Sequence, residues 1–400
     1  MNIFKKLYCR CFQCALKLAM PLLPYREPTL LSDYAHLVEA LTNAGKRNAL
    51  IVTDKGVRGL GLTKALEQAF DENGVNFVVF DGTVANPTTD NVAQAVDCYK
   101  SSGCDCIIAF GGGSAMDCAK ATGAQIVRPR TPLSKMKGVM KVRKRLPLLV
   151  AIPTTAGTGS ETTLAAVITD SATRHKYAIN DFPLIPKYAL LDAQLTLGLP
   201  KSVTATTGMD ALTHAVEAYI GRSTTRQTRR NARQAVKLIF DNLELAYNDG
   251  SNVDARINMI NASYLAGLAF TKSYVGYVHA VAHSLGGKYN VAHGLANAVI
   301  LPVVLHKYGK VVRRKLWQLG VYAGLFGKDT PVEQGAELFI RKVEQMNANM
   351  GIGRTIDGIV AGDVPELAQT AEREANPLYP VPVLYTAKQL EDIYYAISAN

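Results

Sequence analysis

Cys104-Asp-Cys-Ile-Ile-Ala-Phe110-Gly-Gly-Gly-Ser114-Ala-Met-Asp117-Cys-Ala-Lys120 runs from an apolar segment, through three consecutive glycines, into a helical pattern. Residues 104–110 read as a buried strand and residues 115–124 as a helix. Glycines between them let an anionic ligand approach the backbone, and the N–H groups at the helix start supply donors. Open α/β sheets bind ligands at this end of their strands. A glycine run alone is equally compatible with a plain tight turn.

Upstream, the same alternation repeats. Residues 31–44 are helical, residues 48–53 form a short strand ending at Asp54, residues 63–73 are helical, residues 75–80 form a strand, and residues 89–101 are helical. Downstream, a strand over 148–152 runs into Pro153-Thr-Thr-Ala-Gly-Thr-Gly-Ser160-Glu161. Strands separated by helices of this length predict a parallel sheet covered on both faces. The second loop adds hydroxyls to glycines, and two such loops in one domain point to a nucleotide or dinucleotide. The Gly-x-Gly-x-x-Gly fingerprint is absent, so this is not an ordinary Rossmann domain. Asp54 at a strand end can accept from ribose hydroxyls and would repel a 2′-phosphate, favouring NAD over NADP; it can equally cap the following turn.

Residues 165–199 are mixed, with strands expected at 167–170, 177–179 and 188–191. Beyond Pro200 long helical patterns take over, at 204–219, 232–246, 253–270, 278–285, 296–308 and 314–325. The expected division is therefore a helix and linker over 1–28, an α/β domain over 29–199 and a helical domain over 200–400.

With 48% hydrophobic and 19% charged residues in 400, the chain can bury a full core. No apolar run reaches the roughly 18–20 residues of a membrane span. The net charge of +11 gathers partly in residues 135–145 and 222–233, but neither cluster is interleaved with aromatics, so solvated faces are expected and no nucleic-acid partner. Seven cysteines, none after Cys118, argue against a disulfide framework and for a reducing cytoplasm. Cys9, Cys11 and Cys14 read as ordinary thiols. Residues 1–20 carry an apolar helical stripe with Lys5, Lys6, Arg10, Gln13 and Lys17 opposite. The stripe is expected to dock on the protein's own surface or a subunit partner rather than on a membrane, and no stable membrane association is expected.

In the helical half, His279-Ala-Val-Ala-His283-Ser-Leu-Gly-Gly-Lys-Tyr-Asn-Val-Ala-His293 holds three of the seven histidines. His279 and His283 are spaced to share a helix face, Gly286-Gly287 is expected to break that helix, and His293 to follow on a turn. Asp210 and His214 repeat the spacing of four. Together they offer the carboxylate and imidazole ligands that hold a divalent transition metal. The competing reading is a pair of amphipathic helices whose histidines merely pack.

Gly-Gly-Gly-Ser-x-x-Asp-x-x-Lys at 111–120, Pro-Thr-Thr-Ala-Gly-Thr-Gly-Ser-Glu at 153–161, Asp210-x-x-x-His214 and His279-x-x-x-His283-x9-His293-Gly occur in that order. With them the chain resembles the iron-containing, group III alcohol dehydrogenases from about residue 28 onward. The resemblance implies an α/β N-terminal dinucleotide-binding domain, a Rossmann-like variant with a parallel sheet. It also implies an all-α, dehydroquinate synthase-like metal-binding C-terminal domain, with the active site in the cleft between. It implies Asp210, His214, His279 and His293 as metal ligands, with His283 as the catalytic histidine near substrate and nicotinamide. The implied cofactor contacts are Asp54, Asn86, Gly112, Gly113, Ser114, Ala115, Met116, Asp117, Thr154, Thr155, Ala156, Gly157, Thr158 and Lys176, and Phe270 is the implied substrate-pocket aromatic. Fe²⁺ is the family's usual metal, although the ligand set also suits Zn²⁺.

The expected activity is NAD-dependent interconversion of a small alcohol or diol and its carbonyl compound, in a cytoplasmic homodimer. One departure is the lack of a late cysteine that some members place near the substrate. Alternatives sharing the architecture are a zinc polyol dehydrogenase and a metal- and NAD-dependent lyase of the dehydroquinate-synthase type. A non-enzymatic basic protein binding nucleic acid or membrane is the remaining reading.

Overall fold

The computed structural model describes residues 1–399. It divides into two compact units, Pro24–Leu197 on one side and Met1–Leu23 with Gly198–Asn400 on the other. The helix α1 (Ile3–Ala19) thus belongs to the helical unit.

The α/β unit contains β1 (Thr29–Leu31), α2 (Tyr34–Asn43), β2 (Asn48–Asp54), α3 (Lys55–Gly59), α4 (Lys64–Glu72), β3 (Asn76–Thr83), α5 (Thr89–Ser101), β4 (Cys106–Gly111) and α6 (Gly113–Val127). It continues with β5 (Gly138–Val139), β6 (Leu148–Pro153), β7 (Ala165–Thr169), β8 (Lys176–Asn180) and β9 (Tyr188–Leu190). Six parallel strands form the main sheet in the order β1-β9-β6-β4-β2-β3. Strands β5, β8 and β7 make a small second sheet in which β7 and β8 run antiparallel.

The central strands are buried on both faces, which is why they read as unbroken apolar runs. Leu50, Val52, Ile107 and Ala109 join one core cluster, while Ala49, Ile51, Cys106, Ile108 and Phe110 join the other. From β2 the chain moves outward to β3, then returns to the other side of β2 for β4 and onward to β6. The winding therefore reverses between β2 and β4, the position at which open α/β sheets form their ligand crevice. Asp54 and Gly111 close those two strands, and Asp54 Oδ2 lies 3.7 Å from the point where a Cβ on Gly111 would stand.

Two expectations are corrected here. The helix placed at 31–44 begins only at Tyr34, capped by the Asp33 carboxylate that accepts from His36 N at 2.9 Å, and Leu31 belongs to β1. A three-residue strand is too short to show a period of two.

The helical unit continues with α7 (Lys201–Ile220), α8 (Arg226–Asn248), α9 (Val253–Ser273), α10 (Tyr277–Tyr289), α11 (His293–Tyr308), α12 (Arg313–Ala323), α13 (Val332–Asn349), α14 (Val364–Ala375) and α15 (Ala387–Ile397). The second correction concerns Gly286-Gly287, which lies inside α10 and does not break it. Packing of α10 on α11 and α14 overrides a glycine cost of about 1 kcal/mol per residue. The break comes at Asn290, whose φ of 54° is left-handed, and His293 is the first residue of α11 rather than part of the turn.

Candidate active site

Three helices of one unit bring four donor groups to a point. Asp210 and His214 lie one turn apart on α7, His279 on α10, and His293 at the start of α11. One donor atom from each lies within 4.8 Å of every other. His279 Nε2 and His293 Nε2 stand 3.8 Å and 3.5 Å from Asp210 Oδ1, too far for hydrogen bonds. Such spacing is near the ligand-to-ligand edge, about 3.4 Å, around an ion with bonds of about 2.1 Å. Close backbone approach sets this up: a Cβ on Gly294 would come within 2.4 Å of the Thr206 carbonyl oxygen, so only glycine lets α11 begin against α7.

Asn297, one turn after His293, reports what the donors want. Its Nδ2 donates to Asp210 Oδ1 at 2.6 Å and lies 3.2 Å from His279 Nε2 and 3.1 Å from His293 Nε2. The lone pairs of all three groups thus converge on one electropositive atom. Burial pushes the Asp210 carboxyl above its usual range, although His214 and Asn297 oppose this. Burial, and then the neighbouring imidazoles, hold His279 well below the usual histidine range. A buried carboxylate beside neutral imidazoles is a donor set that fits a divalent cation.

A second layer, which the sequence reading missed, holds these groups. Glu217, 3% exposed on α7, accepts from Gly276 N at 2.8 Å, Val278 N at 2.9 Å and His279 Nδ1 at 2.6 Å. It caps α10 and fixes the His279 tautomer, turning Nε2 to the cluster. Gly276 permits this, since a Cβ there would lie 2.6 Å from Glu217 Oε1. The available signal was Glu217 falling seven residues after Asp210, on the same helix face.

His283 is not among the converging donors. Its Nδ1 lies 2.6 Å from Glu374 Oε1 on α14, and its ring stacks on His293 with centroids 5.2 Å apart. Tyr379 also donates to Glu374, at 2.7 Å. Burial raises the Glu374 carboxyl, but the His283 charge and these two hydrogen bonds outweigh it and hold it below its usual range. Phe270 stacks on His214 at 4.0 Å between centroids, so it buttresses a candidate ligand.

In the α/β unit, Gly112 is the N-cap of α6, and Gly113 and Ser114 open the helix. The Ala115 and Met116 side chains are buried in the core, leaving only their backbone to a ligand. A Cβ on Gly112 would stand 3.5 Å from Thr155 Cγ2, and one on Gly113 would stand 3.0 Å from Thr158 Cγ2, so the glycine loop lies directly against the loop from Thr154 to Thr158. Thr154, Ala156 and Gly157 are buried, with Thr155 and Thr158 half-buried.

Asp54 Oδ1 accepts from Val57 N at 2.9 Å, which makes it the cap of α3. Asp117, lifted to about 6 by burial, is engaged by Ser160 Oγ at 3.3 Å and Val167 N at 3.1 Å. Lys176 Nζ donates to Asn86 Oδ1 at 2.7 Å, so these two distant positions meet. Lys120 turns into the core, where its ammonium donates to the carbonyls of Ser160, Thr163 and Ala165 at 2.6–3.0 Å.

The chain matches two family models, iron-containing alcohol dehydrogenase over residues 32–193 and the C-terminal domain of the Fe-containing alcohol dehydrogenase family over residues 204–398. It is 39% identical over 337 residues to a 1,3-propanediol dehydrogenase of Citrobacter freundii, covering 83% of this chain and 87% of that one. It is 37% identical over 336 residues to an NAD-dependent methanol dehydrogenase of Bacillus methanolicus, with 83% and 87% covered. The crystal structure of a 1,3-propanediol oxidoreductase superposes with a TM-score of 0.88 at 34% identity, over 93% of this chain and 99% of that one. By sequence and by fold, the protein belongs to the iron-containing alcohol dehydrogenase family.

Proposed function

We propose that the protein is an NAD-dependent, divalent-metal alcohol dehydrogenase or aldehyde reductase acting on small alcohols, diols or aldehydes, with Fe²⁺ as its metal. The observation that carries this reading is the convergence of Asp210, His214, His279 and His293 within 4.8 Å. When bound, the metal would polarise the substrate oxygen and the nicotinamide would give or take the hydride. Glu217 orients His279, and Asn297 is placed to follow the charge at the centre. Glu374 holds His283 through Nδ1, so Nε2 is the ring atom that can pass the substrate's hydroxyl proton.

In the other unit, the N–H groups of Gly113 and Ser114 would receive the cofactor's phosphates, and Thr155 and Thr158 would add hydroxyls. The carboxylate of Asp54 at the end of β2 favours NAD over NADP, and the NAD-dependent relative supports the same choice. Lys176 is a lone basic residue among the candidate contacts, which suits an uncharged substrate better than a phosphorylated one.

Metal analysis of anaerobically prepared protein, followed by an NADH-coupled screen of short alcohols, diols and aldehydes, tests the reading. His279→Ala should lose metal and turnover together, while a metal-free variant that still oxidises alcohol would overturn it. Net NADH production separates this activity from a lyase that regenerates its cofactor.

A further inference from the structure

The amphipathic helix α1 sits on the protein the wrong way round. Its buried residues are Cys9 and Gln13, 1% and 4% exposed. Gln13 Nε2 donates to the Pro377 and Tyr379 carbonyls at 3.2 and 2.7 Å, and Arg10 donates to those of Val381 and Pro382 at 2.8 and 3.0 Å. Lys5 pairs with Glu372 at 2.6 Å. The polar side is the docking side. Outward lie Ile3, Phe4, Leu7, Tyr8 and Leu18, between 60% and 78% exposed, and Leu22 just beyond at 87%. At 100° per residue these side chains, with exposed Cys11 and Cys14, occupy one continuous arc. Lys6 and Lys17 border one edge of it and Lys5 the other. The expectation that the apolar stripe docks on the chain's own surface is therefore reversed, because hydrogen bonds to main-chain carbonyls of residues 377–382 hold the helix instead.

Basic groups extend the rim. Lys315 is lowered to about 8 by burial and by the nearby charges of Arg229, Arg222 and Lys17, and Arg222 also lies near Arg10. Arg222 and Arg229 are exposed. Two arginines of the 222–233 cluster, Arg222 and Arg229, thus lie near α1.

We propose that α1 is an interfacial helix that lays its apolar face in an anionic phospholipid bilayer, with Lys6, Lys17 and the neighbouring arginines at the headgroup phosphates. A contiguous apolar face bordered by lysines has the form of a helix that lies in the interface, and among the described residues no single helix is long and apolar enough to cross a membrane. A second copy is the weaker occupant. A two-fold contact sets the same patch against itself, and here it would bring the basic set of Lys6, Lys17, Arg222 and Arg229 toward the same basic set of the second copy. An anionic surface instead complements both the charge and the apolar arc.

The full chain is mixed with phosphatidylcholine vesicles containing about 30 mol% phosphatidylserine and floated on a density gradient. It should float with them at low salt, weaken as salt rises, and bind pure phosphatidylcholine at least tenfold less. Lys6→Gln with Lys17→Gln should weaken partitioning more than tenfold, at about fivefold per charge. Leu7→Glu with Leu18→Glu should abolish it with the unfolding midpoint unchanged, since both side chains are exposed. An environment-sensitive label on Cys11, with Cys14 and Cys98 replaced by serine, should shift to the blue on the anionic vesicles.

No flotation with the anionic vesicles overturns the proposal. So does flotation that survives Leu7→Glu with Leu18→Glu, or that leaves the label unshifted, because another basic face is then the contact. Concentration-dependent dimers abolished by the same pair, without vesicle binding, would assign the face to a second copy.

Discussion

At the scale of single residues, the candidate centre is set by Glu217 as much as by its four donors. A carboxylate that is 3% exposed, raised by burial to about 7, and holding three N–H groups, Gly276, Val278 and the His279 ring, gives the imidazole one orientation. Glu217→Gln keeps the volume but presents an amide N–H toward one of those donors. Affinity for the divalent metal should fall about 10–100-fold while the fold is kept, as measured by chelator competition and circular dichroism. An unchanged affinity would mean that α7 and α10 fix His279 without it. Asp210, His214, His279 and His293 were legible from spacing and family resemblance. Glu217 and Asn297 were not, because a glutamate and an asparagine inside helical runs look like ordinary polar positions until the helices cross. Glu374 is less legible still, lying 91 residues from the His283 it holds.

At the scale of elements, two devices keep the loops and helices in register. In the helical unit, Gly294 lets α11 begin against the backbone of α7, and Gly276 leaves room for the Glu217 carboxylate between α7 and α10. In the α/β unit, Lys120 ties α6 to the segment that follows the second glycine loop, through three carbonyls and the hydroxyls of Ser160 and Thr163. Lys120→Met would leave those carbonyls buried without their donor and Asp117 without the cation that most opposes its rise on burial. It should cost about 3–5 kcal/mol, read from the shift of the urea midpoint at constant m-value. A cost under about 1 kcal/mol would show that the segment holds itself. In the sequence this lysine read only as the last residue of the motif that follows the glycine loop, and the structure shows its side chain running inward.

At the scale of the whole molecule, the two units have separate cores and carry different groups. All four candidate metal ligands belong to the helical unit, together with α1. A ligand that binds only the folded state stabilises it by RT ln(1 + [L]/Kd), about 2.7 kcal/mol at a hundredfold excess over Kd. Chelating the metal should therefore lower the calorimetric transition of the helical unit and leave that of residues 24–197 in place. NAD should raise the latter in turn. A metal-dependent shift confined to the α/β transition would place the ion elsewhere.

The sequence by itself determined the alternation of strand and helix, the change to helices after Pro200, the two glycine loops, and the residues able to bind a metal. Each of these is written in local periods and short spacings, and a few long motifs carry the family. Only the tertiary structure decided which residues orient the candidate ligands, that Lys120 faces inward, that α10 runs through Gly286-Gly287, and which face of α1 is buried. Those outcomes depend on contacts between distant segments. An amphipathic pattern fixes that a helix has two faces, but the carbonyls waiting at residues 377–382 decided which one the protein keeps.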